Sequence, residues 1–383
     1  QFIEPNSLSS YGPERLLQDN DLMWNSTGLG TLGRMAIYKT AANPYELAVA
    51  DSHVTVIRPL KQFVLPEYLY YYFANPSVQS VIEDQADGTT KQKELATATI
   101  KAYLTPIPPL DEQRRILAKL SEVLPVVKNY GVVYDETTAM QEAFPESLKK
   151  SILQEAVQGK LVPQDPSDEP AEALLERIRA EKQRLIKEGK IKKDKHESVI
   201  FRRDNSHYEK LDGVERCIDD ELPFELPKNW CWVRFETALV NRDAKRIPLS
   251  VAQRKKLEKK YDYYGASGVI DKVDRYLFDK PLLLIGEDGA NLLLRSKPIA
   301  FIATGKYWVN NHAHVIDAVG GVDLHYIALF INATNLAPYV TGTAQPKMNQ
   351  ERLNSILVPL PPSAEQHRIV TAFEEIAAII QQF

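Results

Sequence analysis

The sequence is poor in the residues that staple folds together or hold metals. Cys217 and Cys231 are its only cysteines. Two thiols make no disulfide framework and their spacing fits no zinc pattern, so both read as reduced, structural residues of a cytoplasmic protein. Long apolar runs are missing too. None approaches the roughly 20 residues that span a bilayer, and no secretory leader opens the chain, so no membrane partner is expected. Basic residues are not in excess, with 47 Lys and Arg against 51 Asp and Glu for a net charge of −4. The sum weighs against a nucleic-acid partner, but such contacts depend on local patches.

A convincing catalytic centre is also absent. The stretch "GLGTLG" (28–33), with Asp51 downstream, matches the dinucleotide fingerprint, which needs a helix opening at its last glycine. "RMAIYKTAANPYE" follows instead, alternating like a strand and breaking at Asn43-Pro44, so a turn between strands is expected. "NPYE" (43–46) lacks the second proline of an amino-methyltransferase loop and reads as another turn. "HAH" (312–314) offers two ligands without an obvious third, and alternating strand histidines are the better reading. Glu287 and Asp288 of "GEDG" read as turn residues. No catalytic residue, metal site or cofactor of the chain's own is expected.

What is present is apolar mass, 44% of 383 residues, enough for two or three domains. One phrase is also written twice. "PIPPLDEQRRIL" (106–117) and "PLPPSAEQHRIV" (359–370) share seven of twelve letters at constant register. Upstream, "SHVTVI" (52–57) resembles "HAHVID" (312–317), "YLYYYF" (68–73) lies where "YIALFI" (326–331) lies, and "DGTTKQK" (87–93) resembles "TGTAQPK" (341–347). A period near 250 means two whole copies of one domain rather than a solenoid. The second copy opens with the Trp-bearing "LPFELPKNWCWVRFETAL" (222–239), and nothing similar precedes Gln1. With Gln1 in place of Met and Phe383 inside an apparent helix, both ends read as trimmed.

Each copy is followed by a helical pattern. Ile116, Leu120, Val123, Val127, Tyr130 and Tyr134 are spaced 4, 3, 4, 3, 4, a heptad seam, and Phe144, Leu148, Ile152 and Ala156 continue an apolar face. Breaks or kinks are expected at Pro125 and Pro145. Ser363 and Gln366 have capping-box spacing, and Ile369, Phe373, Ile376 and Ile380 repeat the seam. Antiparallel pairing of the two seams is expected over the alternative that each helix covers its own domain. Residues 171–195 carry nine Lys/Arg against five Asp/Glu and read as a basic helix and tail, solvated or phosphate-facing.

Binding features are stronger than catalytic ones. Between Lys245 and Lys260 lie seven Lys/Arg against one acid, with tyrosines directly after. Lysine and arginine neutralise phosphates, and aromatic and short polar side chains approach bases. The candidate DNA contacts are Lys245, Arg246, Arg254, Lys255, Lys256, Tyr263, Tyr264, Ser267, Lys306, Tyr307, Gln345 and Lys347 in the second copy. In the first copy they are Arg34, Lys91 and Lys93.

The two Pro-x-Pro-Pro-x-x-Glu-Gln-x-Arg-Ile motifs, "LKKSILQEAVQGKLVPQDPSDEPAEALLERIRAEK" (148–182) and "LPKNWCWVRF" (226–235) together resemble the specificity subunit of type I restriction–modification systems. The resemblance covers nearly the whole chain. It implies an α+β protein with two similar α/β target recognition domains, joined and separated by long antiparallel coiled-coil spacer helices. The expected divisions are a first domain at 1–109, incomplete at its start, and a spacer with Pro-rich loop and basic helix at 110–212. A second domain at 213–362 and the start of a second spacer helix at 363–383 follow. It implies that each domain reads one half of a split, asymmetric double-stranded DNA site. The spacer would dock two modification (methyltransferase) subunits, which restriction subunits join. S-adenosylmethionine, ATP and Mg²⁺ would belong to those partners. Glu112, Gln113, Arg115, Val127, Leu148, Ile152, Glu365, Gln366 and Arg368 are the expected spacer and docking residues, the repeated turns being mainly structural. An α-helix rises 1.5 Å per residue, so about 30 residues span roughly 45 Å, comparable with one DNA turn. An enzyme with embedded recognition domains and a DNA-free helical scaffold are the alternatives.

Overall fold

The computed structural model describes residues 3–28, 30–89, 92–342 and 344–382. The chain divides into two units, residues 1–138 and 139–383. The boundary between the units falls within the long helix, and the middle of the chain belongs to the second unit.

The first unit is built on β1 (Leu22–Asn25), with β2 (Met35–Ile37) and β3 (Val54–Ile57) antiparallel on either side. Leu22 and Trp24 point inward from β1 and are fully buried. They pack with Val64, Leu69 and Phe73 around α1 (Pro66–Phe73), and with Val78 of α2 (Pro76–Gln79). A small hairpin of β4 (Asp87–Thr89) and β5 (Gln92–Glu94) leads to α3 (Thr97–Lys101). The glycines of "GLGTLG" occupy the loop between antiparallel β1 and β2. Gly28, Gly30 and Gly33 all have positive φ, and a Cβ on Gly33 would lie 2.8 Å from Ile82. The glycines serve turns, as expected.

Next comes α4 (Leu110–Val157), 48 residues without a break. The helix is not broken at Pro125 or Pro145. Each proline removes one backbone donor, but Ser121 and Gln141, whose carbonyls lose that bond, are exposed to water.

In the second unit, α5 (Ala171–Lys187) buries Leu174, Leu175 and Ile178 in the main core. Residues 198–212, expected as linker, join 213–217, expected as the start of the second domain, in a three-stranded antiparallel meander. Its strands are β6 (Ser198–Arg203), β7 (Ser206–Leu211) and β8 (Val214–Cys217). Glu209 fixes the meander to the next strand, β9 (Cys231–Arg234). Its carboxylate accepts from Arg234 at 2.8 and 2.7 Å, Ser198 at 2.7 Å and Arg216 at 2.8 Å. Burial would raise its pKa, yet these bonds hold it down at about 2. β9 pairs antiparallel with β17 (Leu357–Leu360), the strand that leads into the second repeated phrase.

After α6 (Phe235–Ala238), the central sheet runs β10 (Leu239–Asn241), β16 (Ala313–Ala318), β13 (Leu282–Gly286), β14 (Ala300–Ala303). Another three-stranded sheet is interleaved with these strands in sequence. β11 (Tyr261–Gly265) pairs antiparallel with β12 (Gly268–Val273) and parallel with β15 (Tyr307–Val309). Two short helices lie in the connections, α7 (Val251–Lys255) between β10 and β11 and α8 (Asn291–Leu294) between β13 and β14. Then α9 (Leu324–Ala333) packs on β14, α10 (Gln350–Asn354) follows, and α11 (Ser363–Ile380) packs on α9.

Two further expectations change here. Ile369, Val370 and Phe373 of α11 are buried, so this helix covers its own unit, while Val123, Val127, Tyr130, Tyr134 and Phe144 of the α4 seam stay exposed. The capping box at Ser363 does not form: Ser363 Oγ donates to Gly321 O instead, and the Gln366 side chain is engaged elsewhere. Cys231 is partly buried and its thiol is pushed up to about 12 by burial, whereas Cys217 is exposed on a strand. Only Cys231 fits the structural reading.

Candidate nucleic-acid interface

The repeated phrase makes the same junction in both units. Gln113 is fully buried. Its Nε2 donates to Pro108 O at 2.7 Å and Phe63 O at 3.0 Å, and its Oε1 accepts from the backbone N of Leu65, just before α1, at 2.8 Å. Gln366, also fully buried, donates to Pro361 O at 2.9 Å and accepts from the backbone N of Asp323, just before α9, at 2.8 Å. Tyr68 Oη donates to Pro106 O at 3.0 Å and Tyr326 Oη to Pro359 O at 2.7 Å. A glutamine and a tyrosine thus lock the Pro-rich turn onto the start of one helix in each copy.

The neighbouring charges differ between copies. Glu365 is buried, accepting from Trp230 Nε1 at 3.0 Å and from Gln164; burial pushes its carboxyl up despite these bonds. Arg368 makes a bidentate pair with Asp168 at 2.6 and 3.1 Å. Glu112 and Arg115 are exposed. Val127 is exposed, while Leu148 and Ile152 are half-buried on α4.

The expected DNA contacts separate into those held inside the fold and those facing water. Tyr263 is 1% exposed, its hydroxyl accepting from Leu249 N at 3.0 Å. Arg254 lies 4.7 Å above that ring, donates to Asp271 at 2.9 Å and to Leu249 O at 2.7 Å. Tyr307 is fully buried, donates to Lys280 O at 2.9 Å, and burial drives its hydroxyl pKa well up. Arg246 donates to Glu287 at 2.7 Å and Ala313 O at 2.7 Å. These four were expected on the surface. They are internal because strand alternation turns the tyrosines inward and carboxylates hold the arginines. Tyr264 is half-buried, stacked on Phe301.

Lys245, Lys255 and Lys256 are exposed, and no ion pair holds them among the described residues. Lys255 ends α7, whose start carries a capping box of Ser250 and Gln253. Ser267 sits exposed in the β11–β12 turn, Lys306 lies 4.8 Å from the Tyr276 ring, and Gln345 is exposed. In the first unit, exposed Arg34 donates to Gly30 O at 3.1 Å, and partly buried Lys93 to Glu83 O at 2.8 Å. Lys91 lies outside the described residues.

Sequence reasoning missed an internal charge network beneath these loops. His314 Nδ1 lies 2.6 Å from Asp243 and its Nε2 lies 2.8 Å from Met348 O. Asp243 also accepts from Val315 N and lies 3.2 Å from Arg246, and Lys347 is 3.1 Å from Glu287. Burial would raise the Asp243 carboxyl, but the His314 hydrogen bond and the His314 and Arg246 charges hold it below the ordinary range. Asp243, Glu287 and His314 bring ligand atoms within 4.8 Å of one another. Yet Arg246 and Lys347 already neutralise both carboxylates, so the cluster serves as an ion-pair brace joining three loops to strand β16. The inward His314 matches the alternation expected of "HAH". Lys347, expected on DNA, is half-exposed and tied to this brace.

Residues 3–126 and 239–382 both match the model of the type I restriction modification DNA specificity domain. The chain belongs to that family. The two matched blocks contain both glutamine junctions and all the exposed candidate contacts, and exclude residues 127–238. Among relatives, the specificity subunit of the EcoEI type I restriction enzyme of Escherichia coli is 27% identical over 398 residues, covering 88% of this chain and 64% of the relative. The EcoAI specificity subunit of Escherichia coli is 31% identical over 238 residues, covering 52% of this chain and 37% of the relative. The chain therefore spans less than two thirds of either relative. A solved structure, the HsdS subunit from Thermoanaerobacter tengcongensis, aligns over 98% of this chain and 79% of that one, with 16% identity and a TM-score of 0.49. Among the described residues no helix is long and apolar enough to cross a membrane.

The candidate cations thus divide in two: arginines held inside the fold set loop shape, and the lysines at 245, 255 and 256 face water.

Proposed function

We propose that the chain is the DNA-recognition subunit of a type I restriction–modification complex, without catalysis of its own. Each copy of the specificity domain reads one half of a bipartite, asymmetric site in double-stranded DNA. Two modification subunits dock along the helical spacer, and restriction subunits join them. S-adenosylmethionine, ATP and Mg²⁺ act on those partners, in the cytoplasm.

The observation that carries this reading is the double family match, with the same glutamine junction at the end of each copy. The copies share their frame and differ in their loops: "AQPKMN" stands where the first copy has "KQKELA". Two frames with different loops suit two different half-sites, because bases are read by the side chains that loops present. The exposed apolar seam of α4 supports the docking role, since an exposed apolar patch of this extent marks an interface.

The test is to express the chain with modification subunits and map methylated positions in the host DNA. Two short, unlike half-sites at a fixed gap are expected. One continuous site, or methyl transfer by the purified chain alone with S-adenosylmethionine, overturns the proposal.

A further inference from the structure

The loop from Gly189 to Glu197, between α5 and β6, lies outside both matched blocks of the family. Its backbone is held at several points. Arg242 donates to Lys190 O at 3.2 Å, and Ile191 packs half-buried on the main core. Lys182, 5% exposed, pairs with Asp194 at 2.6 Å and donates to Glu236 O and Leu239 O. Lys195 N donates to Glu236 Oε1 at 3.0 Å. Asp212 accepts from Glu197 N at 2.8 Å and meets His196 Nδ1 at 2.7 Å.

The ammonium groups of this loop are treated in the opposite way. Lys192, Lys193 and Lys195 are exposed, with no ion pair among the described residues. A pinned backbone carrying free cations presents its charges without the ordering cost that a flexible tail pays on binding. The loop walls a cavity of about 1000 Å³, shared with Lys245, Tyr339, Gln350 and Asn354. The acids on this cavity are Asp194, Glu221, Glu236 and Glu351. The first two are held by Lys182 and by Arg216 and Arg234, and Glu236 faces Lys195 N.

We infer that Lys192, Lys193 and Lys195, with Lys245 on the same cavity, form a second phosphate-contacting surface that grips the DNA backbone without reading its sequence. The inference rests on the DNA-recognition reading above. Backbone phosphates are favoured over a small polyphosphate because of which cations are free. Arg216, Arg234 and Arg242 line the cavity, but Glu209, Glu221 and Asp317 hold all three guanidinium groups. No fork remains to clasp a phosphoryl group bidentately, and lysines act on phosphates as point charges.

The test measures DNA affinity against salt for the full chain in its complex, parent against K192A/K193A/K195A. The parent slope of log K against log salt is expected to fall by about 2–3 units in the variant, near 0.9 per phosphate lost. The ratio of cognate to non-cognate affinity and the melting temperature should stay unchanged. An unchanged slope in a variant that melts normally removes the surface and leaves the recognition reading standing, and so does selective loss of cognate binding. If tripolyphosphate binds the chain stoichiometrically, the variant abolishes that binding and the DNA slope stays put, the ligand is a small anion and the inference is wrong. If the parent complex binds no DNA, both readings fall together.

Discussion

Gln113 and Gln366 each satisfy backbone groups that burial would otherwise leave unpaired: the amide N–H before a helix and the carbonyl of a diproline turn. An unsatisfied buried backbone group costs about 1–3 kcal/mol. Q113A and Q366A should therefore each destabilise their own unit by about 3 kcal/mol, read by urea melts that follow each unit separately, with Trp24 fluorescence reporting the first. A loss under 1 kcal/mol in either copy would deny the shared lock. Glu209 offers a pH test. Its folded pKa of about 2 lies below the ordinary carboxylate value, so its ion pairs stabilise the fold fully above about 4.5, and that contribution is lost as pH falls toward 2. E209Q should flatten this acid limb of the melting curve and leave the neutral-to-basic side level, at a constant cost of about 3 kcal/mol from the uncompensated Arg234.

At the scale of elements, the candidate loop is a rigid hairpin with a charged helix beside it, and its cations have separable jobs. K255A/K256A should lower the salt slope of DNA binding by about 2 and leave the melting temperature within about 1 °C, because both side chains face water. R254A should do the reverse, loosening the Tyr263 stack and the Asp271 pair at a cost of about 1–3 kcal/mol. Equal effects of the two variants on melting would contradict this division. The meander at 198–217 had a sequence signal that the basic composition obscured. Asp204-Asn205 and Asp212-Gly213 are two-residue turns with positive φ at every position, flanked by Val, Ile, Phe, Tyr and Leu. The charges hid the alternation because eight of the twenty residues 198–217 are charged. The prolines of α4 misled for another reason: on an exposed helix the carbonyl each one frees faces solvent, which lowers the cost of the lost bond, and the helix runs on through both.

At the scale of the whole molecule, the twofold repetition was fully legible, since Gln113 and Gln366, like Tyr68 and Tyr326, do the same work at matching positions. What the repeat could not convey is which surfaces stay open. Leu104 and Ile107 are 91% and 57% exposed, while their counterparts Leu357 and Leu360, paired with β9, are 5% and 0% exposed. A periodic seam likewise says that apolar residues share a face, not what lies against it. Val127, Tyr130 and Tyr134 lie bare along α4, with the two tyrosine rings stacked at 6.1 Å. If modification subunits use this face, V127D should leave the melting temperature of the chain alone within about 1–2 °C, because a solvated helix position tolerates charge. The same substitution should weaken assembly with modification subunits at least tenfold in a titrated pull-down or by ultracentrifugation, since burying an unpaired carboxylate at an interface costs more than about 1.4 kcal/mol. Normal assembly by V127D and by a V127D/Y134D double variant would move the docking surface off this helix.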